Sequence, residues 1–241
     1  MDQDRDQDRD QGRASPGAGL AKRATKGTLF FVGALWLLIF LPAGSLAYWQ
    51  GWLFWAHFAL WSGAAGWYFL QRDPALVQRR LRAGPAAEKE PTQKRIQLAL
   101  AIVFCALFVV SALDGRFGWS AASWPVVLAG NLLVAAGYLF VFLVLRENSF
   151  AASTIEVSPD QTVISTGPYA LVRHPMYAGA LLMFAGVPLA LASWWGLVPF
   201  GVLVGGLVAR LQDEEAYLAR NLPGYEAYRE TVCWRLVPGV W

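Results

Sequence analysis

Residues 27–71, GTLFFVGALWLLIFLPAGSLAYWQGWLFWAHFALWSGAAGWYFLQ, decide the fold, because these 45 residues contain no Lys, Arg, Asp or Glu. As helix, at about 1.5 Å per residue, they would extend about 68 Å, more than twice a hydrocarbon core of about 30 Å, so the run has to cross a membrane twice. The break is expected at Tyr48-Trp49-Gln50-Gly51-Trp52, where glycine permits a turn and amphipathic rings suit the headgroup level. Span one then covers 28–48 and span two 52–69.

The same reading extends in both directions. A basic loop over 72–95 holds seven Lys or Arg. Span three covers 96–113, Asp114-Gly115-Arg116 forms a short connection, and span four covers 122–145 and ends at Arg146-Glu147. Residues 174–209 again carry no full charge, interrupted only by Ser193-Trp194-Trp195-Gly196, which reads as a tight hairpin of spans five and six. The expected fold class is all-α: a polytopic membrane helix bundle with six transmembrane spans. Residues 1–26 open on alternating Asp, Gln and Arg, with too little apolar area to offset the entropy of ordering, and are expected to form a disordered arm.

Charge placement supports this layout. Of the 20 Lys and Arg, 19 fall in the arm, the 72–95 loop, the loop after span four and the tail, whereas the three opposite connections hold only Arg116. Cytoplasmic loops collect Lys and Arg, so both termini are expected in the cytoplasm, as in a bacterial inner-membrane protein. Composition agrees: 56% of the 241 residues are hydrophobic and 15% charged, against roughly 45–50% and about 25% in soluble domains. The excess of 20 basic over 17 acidic residues follows a membrane rule and does not point to nucleic acid. With two Cys and two His, a disulfide framework or a structural metal site is not expected.

Chemistry is expected in the two polar strips flanking the last hairpin. In the first, Thr166-Gly167-Pro168 signals a turn, and Pro175 biases His174 away from helix while serving as a first-turn residue of span five. His174 and Tyr177 then sit beside a helix N-terminus whose free amides favour an anion. The same spacing also fits Arg173 and His174 as interfacial anchors and Tyr169 and Tyr177 as belt aromatics. In the second strip, Arg210 and Glu214 stand at i and i+4, the spacing of a solvated ion pair, and the tail beyond fits an interfacial helix. Gly201 and Gly205-Gly206 read as close helix packing, His57 as a packed residue within a span, and Asn131 as an interhelical hydrogen-bonding group.

Taken together, Thr166-Gly167-Pro168-Tyr169, Arg173-His174-Pro175-Met176-Tyr177, Gly179, Glu214-Glu215, and Gly224-Tyr225 with Tyr228, Val232, Arg235 and Pro238 resemble the isoprenylcysteine carboxyl methyltransferase and phospholipid methyltransferase superfamily. The likeness covers about 148–241, and a looser one to bacterial membrane proteins grouped with that family runs across 72–94. It implies that residues 147–241 form a methyltransferase region with S-adenosyl-L-methionine held in a cytoplasmic pocket, and a lipophilic acceptor arriving from the bilayer. Carried over by position, the cofactor-binding residues would be Gln161, Thr162, Val163, Ile164, Tyr169, His174, Pro175, Met176, Tyr177 and Glu214, with Arg210 catalytic at the reacting end of the acceptor. Gln161 stands where the eukaryotic enzymes have histidine, and at Thr154 or Ile155 an upstream glutamine is missing. The resemblance implies carboxyl O-methylation of an isoprenylcysteine-like acceptor, with lipid-amine N-methylation, a membrane isoprenoid or steroid reductase, and a non-catalytic transporter or structural membrane protein as the alternatives.

Overall fold

A computed structural model describes residues 16–241 apart from Lys89, Glu156 and Pro159. Among them are eight α-helices and one short 3-10 turn, Gly167–Ala170, with no strand. The helices are α1 (Pro16–Ala43), α2 (Trp49–Arg72), α3 (Pro74–Arg80), α4 (Pro91–Phe117), α5 (Trp124–Glu147), α6 (Pro175–Ala190), α7 (Leu197–Asn221) and α8 (Tyr225–Thr231). Three are long and apolar enough to cross a membrane: α1 over Ala18–Ala43, α4 and α5. The 24 residues of α2 include five tryptophans, α6 is apolar but only 16 residues long, and α7 passes from an apolar first half into a polar second half.

Both faces of the bundle are apolar, as in a protein solvated by lipid. Inside, Leu35 and Ile39 of α1, Phe54 of α2, Leu107 and Phe108 of α4, Val134 of α5 and Val187 of α6 form one buried core. Outside, Phe30, Leu60 and Leu132 are 78%, 72% and 70% exposed. Large apolar side chains spread around a whole bundle are unfavourable in water and neutral in a bilayer, so the exposed belt marks an integral membrane protein.

Several boundaries differ from the sequence reading. Residues 16–26 belong to α1, where Leu20 and Ala24 are buried, and residues 1–15 of the expected arm lie outside the described residues. The first break falls at Gly44-Ser45-Leu46-Ala47, with Gly44 at φ +63°. Gly51 lies inside α2 instead, where a Cβ would come within 2.8 Å of the Tyr48 ring and 2.9 Å of Ile39. That glycine serves a close contact, which a sequence shows no differently from a turn. Asp114-Gly115-Arg116 is helical: α4 continues to Phe117, and Gly118 caps it in the left-handed conformation. Asp114 is fully buried and accepts hydrogen bonds from Ser120 N at 2.7 Å and Ser193 Oγ at 2.6 Å, fastening the end of α4 to the turns before α5 and α7.

Of the three glycines expected in close helix packing, Gly206 is so placed, a Cβ there coming within 2.6 Å of the Leu100 side chain, whereas Gly201 and Gly205 face open space. The tight pair is α5 with α6: a Cβ on Gly130 would stand 2.2 Å from the backbone nitrogen of Ala190, and one on Gly137 2.5 Å from that of Met183. Backbones this close give helix association its dispersion energy where water cannot. Asn131, one residue along α5, pairs through Oδ1 with His57 Nδ1 of α2 at 3.3 Å. Trp61 donates to the other ring nitrogen of His57 at 2.8 Å, which makes Nδ1 the protonated one. His57 and Asn131 thus bear out their readings as packed and interhelical groups.

Gly130→Ala and Gly137→Ala should each destabilise the bundle by about 1–3 kcal/mol through overpacking, whereas Gly201→Ala should leave stability unchanged or raise it. Thermal melts of the detergent-solubilised variants, followed by tryptophan fluorescence, check this; equal melting temperatures for all three would remove the seam.

Candidate functional site

The turns at 44–48, 118–123 and 191–196 gather at one end of the bundle, joined by Tyr48 Oη to Leu191 O, by the Asp114 contacts and by Trp194 Nε1 to Ala121 O at 3.1 Å. The larger polar clusters collect at the other end. There the 148–174 loop, the polar half of α7, the tail from α8 onward, and α3 with the segment after it close around one another.

The closure is made by Glu215 of α7. It is 5% exposed and holds three cationic or imidazole side chains: Arg173 Nε at 2.7 Å, His174 Nε2 at 3.2 Å and Arg235 Nε at 2.9 Å. Arg173 also donates through Nη1 to the carbonyls of Val232 and Cys233, at 3.0 and 3.2 Å. The backbone repeats the link, with Arg173 N to Trp234 O at 2.8 Å and His174 N to Arg235 O at 3.0 Å. One carboxylate therefore ties the loop before α6 to the tail after α8. Burial alone would raise its pKa, but the hydrogen bonds from His174, Arg235 and Arg173 prevail and bring it down to about 2. Arg173 and His174, 8% and 5% exposed, are internal pieces of this clasp and not interfacial anchors.

A second cluster holds Arg210. Its Nη2 pairs with Glu88 Oε1 at 2.8 Å and its Nη1 donates to Gln93 Oε1 at 2.8 Å, while Gln93 donates onward to Asp213. Glu88 also accepts from Gln97 Nε2 at 2.7 Å, and Gln97 and Arg210 both donate to Ser153 O. The expected i, i+4 pair with Glu214 does not form, because a fully buried partner reaches Arg210 from the segment between α3 and α4. Glu214 accepts instead from the Tyr177 hydroxyl through Oε2.

Between the two clusters lies a cavity of about 300 Å³, at the lower end of the size range of small-molecule sites. All residues expected to bind the cofactor, and Arg210, line it: Gln161, Thr162, Val163, Ile164, Tyr169, His174, Pro175, Met176, Tyr177, Arg210 and Glu214. The local reasons are visible. Gly167 takes φ +56° at the turn that presents Tyr169, and Pro175 starts α6 so that His174 sits at its N-cap. Asn148 donates to the Tyr169 hydroxyl at 2.9 Å and Tyr228 donates to the Tyr169 carbonyl at 2.7 Å. Burial pushes the Tyr169 phenol up to about 12. Tyr169 and Tyr177 are thus cavity walls and not belt aromatics.

Arg80 and Asn148, to which no site role was assigned from the sequence, also line the cavity, as do Tyr225 and Tyr228, which belong to the motif but were given no role at the site. Tyr225 is 4% exposed, and its hydroxyl is the one buried side-chain polar atom without a hydrogen-bond partner among the described residues. Burial, with Glu215 and Glu214 nearby, raises its pKa well beyond the ordinary tyrosine value, so it stays a protonated donor. A buried donor without an acceptor costs roughly 1–3 kcal/mol, a cost that a ligand acceptor would remove. No cluster of metal-ligating side chains occurs among the described residues.

This arrangement, a polar cavity capping the helices of a membrane bundle, is the setting in which the comparisons fall. Residues 125–223 match the family described as phospholipid methyltransferase. A protein-S-isoprenylcysteine O-methyltransferase of Schizosaccharomyces pombe is 28% identical over 107 residues, 44% of this chain and 42% of that protein. The match therefore spans less than half the length of the relative. Each likeness covers less than half of this chain, and both support the resemblance read from the motifs.

The clasp has a pH signature. A carboxyl held below its unfolded pKa contributes stability above the usual glutamate range, and that contribution disappears as pH falls toward about 2. Glu215→Gln should melt lower than wild type at neutral pH, by the equivalent of about 3–5 kcal/mol for a broken buried ion pair, and the gap should narrow as pH is lowered below the usual glutamate range. A gap independent of pH would show that the carboxylate is not the source of the clasp's stability.

Proposed function

We propose that the protein is an S-adenosyl-L-methionine-dependent methyltransferase of the membrane, acting on a lipophilic acceptor drawn from the bilayer. The observation that carries the reading is the convergence of the eleven expected site residues on one cavity, from segments up to 53 positions apart along the chain, Gln161 to Glu214. The donor set fits the cofactor. Glu214 Oε1 has no hydrogen-bond partner among the described residues and is available to an ammonium or a ribose hydroxyl. Tyr225 offers an unused donor, and the rings of Tyr169 and Tyr177 give a sulfonium aromatic surface.

When bound, S-adenosyl-L-methionine supplies an electrophilic methyl on a positive sulfonium, and transfer forms the bond to the nucleophile as the carbon–sulfur pair leaves on sulfur. The chain's own part is orientation and exclusion of water. The Glu215 clasp fixes His174 and the start of α6, and Glu88 with Gln93 holds the Arg210 guanidinium in one orientation at the cavity wall. A carboxylate acceptor, as in isoprenylcysteine O-methylation, arrives ionised and needs no base. N-methylation of a lipid amine is a second reading, favoured by the description of the matching family; there Glu214 Oε1 is placed to receive the proton an ammonium must lose.

We place six crossings on α1, α2, α4, α5, α6 and the apolar half of α7, with the cavity on the cytoplasmic face. Arg116 is the single Lys or Arg near the opposite end among the described residues, which supports that orientation. Cys233 in the tail and Cys105 on α4 are both exposed. A membrane-impermeant maleimide should label Cys233 only after cells are opened, and should spare Cys105 in lipid. Labelling of Cys233 in intact cells would invert the orientation.

Calorimetric titration of the solubilised protein with S-adenosylhomocysteine tests the cofactor. Binding is expected, weakened more than tenfold in Glu214→Ala. Binding of a nicotinamide dinucleotide and not of S-adenosylhomocysteine would replace the methyltransferase reading with that of a reductase.

A further inference from the structure

The charged groups lining the cavity are unequally satisfied. Arg173 is neutralised by Glu215, Arg210 by Glu88, and Glu214 accepts from Tyr177. Arg80 also lines the cavity, yet its guanidinium makes no hydrogen bond or ion pair with any described residue.

Its position is nonetheless fixed. Helix α3 is capped by Asp73, whose Oδ1 accepts from Leu76 N at 2.9 Å, and Leu76 is buried against Phe69 and Leu145. The neighbouring Arg79 is spent on structure, donating to Ser149 O at 2.6 Å and lying 5.4 Å from the Phe150 ring centre. The Arg80 carbonyl accepts from Ser153 Oγ at 3.3 Å. A backbone anchored on two sides presents a guanidinium to the cavity with no counter-charge paired to it among the described residues. Desolvating such a cation without a counter-charge is unfavourable, and burial already lowers the Arg80 pKa.

We propose that Arg80 is the carboxylate receptor of this cavity, taking a carboxylate of the bound donor or of the acceptor in a bidentate pair. The inference rests on the methyltransferase reading and adds a residue from outside the matched region 125–223. A planar fork with no partner among the described residues suits a carboxylate better than a point cation does. The Tyr169 hydroxyl lies within electrostatic reach of both Arg80 and Glu214, so the cavity offers one open cation and one open anion to a single ligand.

The test uses full-length solubilised wild type, Arg80→Gln and Arg80→Lys, each titrated with two pairs of probes. The first pair is S-adenosylhomocysteine and its analogue lacking the amino-acid carboxylate. The second is N-acetyl-S-farnesylcysteine and its carboxamide, with S-adenosylhomocysteine present. Arg80→Gln should weaken at least one carboxylate probe more than tenfold while leaving its neutral counterpart within twofold, and Arg80→Lys should restore part of the loss. The pair that responds identifies whose carboxylate is held. Unchanged affinity for both carboxylate probes, in a variant melting like wild type, would make Arg80 a headgroup anchor and overturn the proposal. Wild type that binds neither S-adenosylhomocysteine nor the farnesyl probe would sink the methyltransferase reading, and this proposal with it.

Discussion

The polar end of this protein depends on one buried carboxylate. Glu215 accepts from Arg173, His174 and Arg235, residues that stand 62 positions apart at their extremes, 173 to 235, and the backbone pairs Arg173–Trp234 and His174–Arg235 run alongside. Buried ion pairs give little net stability over apolar packing, but breaking one is costly. Such a clasp therefore selects a single arrangement of two loops more than it strengthens the fold. Its selection matters because the cofactor positions implied by the resemblance lie partly on each strip.

Lipid and water divide the chain between two kinds of cohesion. Within the span-like helices the contacts are small and apolar: the glycine seam of α5 with α6, and the buried Phe54, Leu107, Phe108 and Val134. Where polar groups occur there, as with His57 and Asn131, they pair with one another across helices. At the polar end, charges converge in two networks built on Glu215 and Glu88, and in the cavity between them Tyr225, Arg80 and one oxygen of Glu214 have no partner among the described residues. Unsatisfied polar groups in an otherwise fully paired region mark where a ligand belongs.

Most of the fold was legible because lipid imposes a simple rule. Residues without charge for 45 positions have few alternatives, and the positions of span four and of the final hairpin turn followed from composition. What failed was local. Gly44 and Gly51 look alike in sequence, and only packing shows which one turns the chain and which one admits the Tyr48 ring. The charged triplet Asp114-Gly115-Arg116 resembled a loop, but Asp114 is buried because Ser120 and Ser193 supply its hydrogen bonds from elsewhere. The motif residues of the cavity were legible through resemblance, in a fixed order along the chain. Glu88, Gln93 and Arg80 were not, since Glu88 and Gln93 meet Arg210 from more than 100 positions away and Arg80 has no side-chain partner among the described residues; no spacing pattern reports such contacts.

The most direct measurement is an experimental structure of the detergent-solubilised protein with S-adenosylhomocysteine. The account requires the nucleoside to lie between Tyr169, His174 and Glu214, with Glu215 still bridging Arg173 and Arg235. A nucleoside bound elsewhere, or loops 148–174 and 232–241 standing apart with Glu215 in solvent, would contradict it.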